Sequence, residues 1–122
     1  MTLQDPDDLF GLPPDHRRDR LTIAFITSLV ALATDQPARE IVSRVRSTHA
    51  GMRARQMAIY LAHVALSWPL ARVATAFGRD RSTAGHAVRT IEDLRDDPAL
   101  DAHLNDLEAC IRQAPQPLGA LS

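Results

Sequence analysis

The sequence predicts an all-α domain of five to six helices, and three observations predict it. Apolar residues recur at i, i+3, i+4 and i+7 in one segment after another, and no stretch alternates apolar with polar as a half-buried strand would. Helix punctuation falls between those segments, at Asp35-Gln36-Pro37, at Gly78 and at Asp97-Pro98. The length of 122 residues, 45 % apolar and only 4 % aromatic, suits one modest core built on Leu, Val, Ile and Ala.

Residues 1–20 are polar, acidic and broken by Pro6, Pro13 and Pro14, which reads as a mostly irregular arm carrying one apolar island, Leu9-Phe10-Gly11-Leu12. The island either folds back on the core or docks a partner through Leu9, Phe10 and Leu12. Residues 21–33 are apolar around most of a helix, with Phe25, Ile26, Leu29, Val30 and Ala33 as core candidates. A helix this apolar is central to its domain or covered by a partner.

A second helix is expected over about 37–46, turning Ile41, Val42 and Val45 inward and Arg39, Arg44 and Arg46 outward. Residues 47–51 read as a polar loop. Met57, Tyr60, Leu61 and Val64 then set a third helix over about 53–66. Ser67 is the expected N-cap of the next, with Pro69 in its first turn, and Leu70, Val73, Ala74 and Phe77 form its stripe. A helix over about 80–94 should bury Ala84, Ala87, Val88, Ile91 and Leu94. Asp97 and Pro98 open the last, with Leu100, Leu104, Leu107 and Ile111 inside and a frayed tail over 113–122. Cys110 lies near that stripe and is expected to pack there.

The net charge of −1 conceals a segregation. Residues 39–89 hold nine Arg against only Glu40 and Asp80, a local +7, whereas residues 1–38 carry −3 and residues 90–122 carry −5. A basic middle between acidic ends suits a polyanionic partner. All 14 basic residues are Arg. With no Lys, neither a lysine Schiff base nor a G-x-x-x-x-G-K-[ST] phosphate loop can form within these residues. His16, His49, His63 and His103 make no zinc-type spacing with Cys110, and no catalytic constellation is visible. The expectation is a non-enzyme with no cofactor and no metal. No apolar run is long enough for a membrane span and no secretory signal opens the chain, so the expected location is the cytoplasm, with the nucleoid.

The most informative stretch is Phe77-Gly78-Arg79-Asp80-Arg81-Ser82-Thr83 with His86-Ala87 after it. A Gly-centred turn joins two short amphipathic helices, and the second opens on side chains that hydrogen-bond phosphates or base edges. That pattern is a helix-turn-helix placing the start of its second helix in a DNA major groove. Asp80 also suits a plain N-cap. A second basic element, Arg53-Ala54-Arg55-Gln56, lies one helix upstream.

These residues resemble the C-terminal DNA-binding domain of the bacterial replication initiator DnaA, a Trp-repressor-like helix-turn-helix fold. That family places F-G-G-R-D-H-T-T-V-x-H-A at the turn and R-P-R-Q-x-A-x-x-L-A upstream. Here Phe77 to Ala87 and Arg53 to Ala62 stand in the same order, and the similarity runs from about Leu21 to Arg112. The initiator's AAA+ ATPase region has no counterpart, so the resemblance implies a stand-alone relative of the binding domain, over 21–112.

By that resemblance Arg53 enters the minor groove, Arg55 and Gln56 support it on the backbone, and the helix start at Pro69 and Leu70 offers N–H groups to a phosphate. Arg79, Asp80, Arg81, Ser82, Thr83 and His86 meet bases and phosphates. Arg81 stands where the family has a base-reading His, and Arg prefers guanine. Ala84 and Gly85 replace larger aliphatics, which suggests a looser helix. The expected function is sequence-preferring binding of double-stranded DNA in the regulation of replication initiation or transcription. The alternative is an interaction module for DnaA or its AAA+ regulator. Either monomer or dimer fits.

Overall fold

A computed structural model describes residues 14–43 and 48–114. The Leu9–Leu12 island, Arg44, Val45 and Arg46, and residues 115–122 lie outside them. Among the described residues there are six helices and no strands: α1 (Pro14–Thr34), α2 (Ala38–Val42), α3 (His49–Ala65), α4 (Leu70–Phe77), α5 (Arg81–Leu94) and α6 (Pro98–Gln113). α3 is the axis of the fold. Its residues from Gln56 to Ala62 are buried without a break, which requires neighbours on every side, and α1, α2, α4, α5 and α6 supply them. Ile26, Val30, Ile41, Ile59, Leu61, Val73, Ile91, Leu104 and Ile111 are fully enclosed. Burying each side chain of that size contributes about 1.5–3 kcal/mol.

The helix-turn-helix is made by local chemistry. Gly78 takes a left-handed conformation (φ 68°, ψ 34°) just past Phe77. Its N–H donates to Thr75 O at 3.1 Å and the N–H of Arg79 to Ala74 O at 2.9 Å, the paired bonds of a Schellman turn. Asp80 then caps α5, its Oδ1 accepting from Thr83 N at 2.9 Å and from Ser82 Oγ at 3.1 Å. α5 buries Ala84, Gly85, Ala87, Val88 and Ile91 as it packs on α3 and α4. α6 opens as expected, Asp97 accepting from Ala99 N at 3.1 Å with Pro98 in the first turn.

Several boundaries differ from expectation. α1 begins at Pro14, so residues 14–20 are helical, not part of an irregular arm. Pro14 occupies the first helical position, where its missing N–H is harmless. Asp19 in this polar segment is held by a bidentate pair with Arg72 of α4, at 2.8 and 2.9 Å. Arg72 in turn lies over the Trp68 ring, 3.8 Å from its centroid.

α2 is only five residues long and leaves Val42 51 % exposed, although Ile41 is buried. α3 starts at His49, inside the expected loop. Thr48 caps it by accepting from Gly51 N at 3.0 Å, and Thr48 itself donates to Glu40 Oε1 through both N and Oγ1. Gly51 is buried against Glu40, whose Oε1 would lie 2.8 Å from an added Cβ. Ser67 is not a cap. It sits at φ 58° in the turn leaving α3, and Pro69 takes the N-cap position of α4. His63 Nδ1 donates to Trp68 O at 2.7 Å and closes that turn. Cys110 is exposed, as are Leu94 and Phe25 at their outer edges.

Arg95 fastens the C-terminal half. It donates to Asp101 at 2.6 Å, to Tyr60 Oη at 2.8 Å, and to Glu108 and Asn105 at 2.5 Å each. Burial of the guanidinium works against its charge, but the bonds it donates to Glu108, Asp101 and Tyr60 outweigh it and raise its pKa above the ordinary arginine value. Glu108, buried on α6, also pairs with Arg112 at 3.2 Å.

The two glycines of the helix-turn-helix give opposite expectations. At Gly85 a Cβ would meet Arg89 Nη1 at 3.5 Å and Leu70 Cδ1 at 3.8 Å, ordinary contacts. Gly85→Ala is therefore expected to raise stability by about 0.5–1 kcal/mol, read by thermal or denaturant unfolding. Gly78→Ala should lower it by about 1–2 kcal/mol, because an L-residue is strained there. Glu108→Ala removes the buried partner of Arg95 and should cost about 2–3 kcal/mol in the same assay.

Candidate nucleic-acid interface

The Gly78 turn sets α5 so that its buried residues point to α3 and α4 while its first turn stands in solvent. Arg81, Ser82 and Thr83 are exposed, and so is His86 one turn on. The positive end of the helix dipole lies at this mouth, where N–H groups and side chains both present donors. Hydrogen bonds from Thr83 and Ser82 hold the Asp80 carboxyl below the usual carboxylate range. The carboxylate thus stays ionised at neutral pH with its capping oxygen engaged inward. Its role as a cap is met in full by this geometry.

The four arginines grouped by sequence are divided by the fold. Arg81 is exposed at the start of α5. Arg53, on α3, is half-buried, and its Nη1 is enclosed without an acceptor among the described residues. Arg55 is turned to the frame. Its Nε donates to Ile41 O at 2.9 Å and its Nη2 to Glu40 O at 3.0 Å, so it closes the carbonyl end of α2. Burial lowers its pKa from the ordinary arginine value, with Glu40 opposing. Arg79 donates through Nη2 to Ser43 O, tying the turn to the segment after α2. Gln56, expected with Arg55 to support DNA binding on the backbone, is only 8 % exposed and lies in the core.

At the start of α4, Pro69 is exposed and Leu70 half-buried. Leu70 approaches α5 at Gly85, its Cδ1 3.8 Å from where a Cβ would stand, so the contact has room for an alanine. The small residues of α5 pack into the core, with Ala84 fully enclosed and Ala87 2 % exposed.

Sequence reasoning passed over Arg89. It is exposed, three residues beyond His86 and seven beyond Ser82, so the three share one face of α5. That spacing was available in the sequence. Arg72, counted in the basic middle, is instead spent on Asp19 and Trp68. Among the described residues no group of three or more His, Cys, Asp or Glu is placed to hold a metal ion, and no helix is long and apolar enough to cross a membrane.

Comparison with known proteins follows the same residues. The profile of the family described as "Bacterial dnaA protein helix-turn-helix" matches residues 23–91, which run from α1 through the buried face of α5. The chromosomal replication initiator protein DnaA of Bartonella quintana is 34 % identical over 114 residues, covering 91 % of this chain and 23 % of that protein. DnaA of Spiroplasma citri is 29 % identical over 93 residues, covering 75 % of this chain and 20 % of its own length. The chain thus spans about a fifth of these relatives. A solved structure described as a DNA replication initiation factor superposes with a TM-score of 0.70 at 28 % identity, over 84 % of this chain and 32 % of that one. With the family profile covering more than half of its residues, including both helices of the turn motif, the chain belongs to the bacterial DnaA helix-turn-helix family.

Proposed function

We propose that this protein binds double-stranded DNA with sequence preference and acts as an accessory regulator of replication initiation or transcription. The observation that carries the reading is the exposed mouth of α5, where Arg81, Ser82, Thr83 and His86 stand free of the core on a helix seated by its opposite face. Inserted in a major groove, this end would place Arg81 against guanine O6/N7 or a phosphate, with Ser82 and Thr83 on the backbone. His86 and Arg89 would follow along the same face. Arg53 of α3, half-buried, would add its charge to phosphate binding. Membership of the DnaA family supports the DNA-binding part of this reading. With no Lys among the 122 residues, no Walker-type phosphate loop can form within them, so what these residues contribute is the occupation of DNA sites.

Two measurements test it. Log affinity for a duplex selected from a random pool should fall linearly with log salt, with a slope of roughly −3 to −6 for four to six phosphate contacts. A flat response contradicts the proposal. Arg81→Ala should weaken the selected site by about 1–3 kcal/mol and flatten the preference for it, read by competition among sequences. Arg55→Ala should act differently, lowering the unfolding temperature because α2 loses its anchor.

A further inference from the structure

α1 carries a second face that the DNA reading leaves unused. Its inner face, with Ile23, Ile26 and Val30, packs into the core. Its outer face exposes Leu21 at 38 %, Phe25 at 37 % and Leu32 at 84 %. Ser28 and Arg18 on this face are exposed too, as is Asp35 just past the helix end. Positions 18, 21, 25, 28, 32 and 35 step by three and four residues in alternation, the spacing of a coiled-coil seam. At about 100° per residue, Leu21, Phe25, Ser28 and Leu32 fall within an arc of roughly 60°. Isolated surface apolar residues need no explanation, but three of them with a small residue on one seam form a stripe.

The stripe is its own complement when reversed. With a twofold axis between residues 26 and 27, Leu21 meets Leu32 of a second copy, Phe25 meets Ser28, and Arg18 meets Asp35. Large faces small at the centre, apolar faces apolar beside it, and opposite charges close both ends. A parallel pairing would instead set Arg18 against Arg18 and Asp35 against Asp35. The C-terminal turn of α1 has no basic residue of its own, so the negative end of its dipole also lacks a cation that Arg18 of an antiparallel copy would provide. We propose that the protein self-associates through an antiparallel α1–α1 pairing along Arg18, Leu21, Phe25, Ser28, Leu32 and Asp35. The occupant is a second copy because the charge and size pattern is isologous, the pattern a twofold interface requires.

The seam is narrow. It offers far less than the roughly 800 Å² per partner of a standard interface, so the dimer is weak in isolation, with a dissociation constant on the order of 10–100 µM. Two copies held on neighbouring DNA sites would pair more readily, since the second contact is then intramolecular.

Sedimentation equilibrium of the 122-residue chain, without DNA, over a concentration series from micromolar to millimolar tests this. The expected result is a monomer–dimer equilibrium. L32E should leave only monomer. R18D and D35R should each raise the dissociation constant about five- to tenfold by setting like charges face to face, and the R18D/D35R double variant should restore it. All three substitutions are at exposed positions, and unchanged circular dichroism would show that folding is intact. A monomer at every concentration overturns the proposal, whether the seam is bare or covered by residues 1–13. So does a dimer indifferent to L32E, or one that the charge swap fails to restore.

Discussion

The burial of α3 on all sides is the constraint from which the rest of this structure follows. Seven consecutive residues, Gln56 to Ala62, are enclosed, and a helix can be enclosed that way only if others surround it. Each surrounding helix then needs only one apolar face. α5 spends that face on Ala84, Gly85, Ala87, Val88 and Ile91, all small or branched, and sits close. Its opposite face, with Ser82, His86 and Arg89, is left to solvent by the same geometry that fixes its direction. A rigid inner contact and a polar outer face on one helix are what a DNA reader needs, because side chains must reach bases from a fixed frame.

Arginine does two kinds of work in this protein, and burial decides which. Arg55, Arg79, Arg72 and Arg95 are turned to carbonyls, carboxylates or aromatic rings of other elements, and they join α2 to α3, the turn to α2, α4 to α1, and α6 to α5. The planar guanidinium suits such multiple bonds. Arg81 and Arg89 remain in solvent on α5. A chain without Lys thus uses one residue type both to hold α5 in place and to furnish its outer face. Glu108 shows how far this goes. A carboxylate 7 % exposed is kept by two arginines, one from the end of α5 and one from its own helix.

How much of this was legible depended on whether the cause was local. The Gly78 turn, the Asp80 and Asp97 caps and the stripes of α4, α5 and α6 are written in neighbouring residues, and each was readable. The start of α1 at Pro14 was not, because its polar first turns are held by Arg72, 53 positions away from Asp19. The early start of α3 depends on Glu40 reaching Thr48, again a contact between residues apart in the chain. The same applies to the site. Arg53, Arg55 and Gln56 stand side by side in a basic motif, yet a helix sends adjacent residues in different directions. Arg55 goes to α2, Gln56 to the core, and Arg53 is only half-buried. Val42 and Leu94 were expected inside from periodicity alone, but each closes its helix, where the neighbours that would cover it have run out.

Whether DNA meets the mouth of α5 can be read from the backbone amide resonances of the chain as a selected duplex is added at low salt. The largest changes should cluster at residues 81–83, 86 and 89, with smaller ones at 53 and at the start of α4, while residues 98–113 of α6 stay still. Changes centred on α6, or spread evenly with none at 81–83, would contradict a contact there.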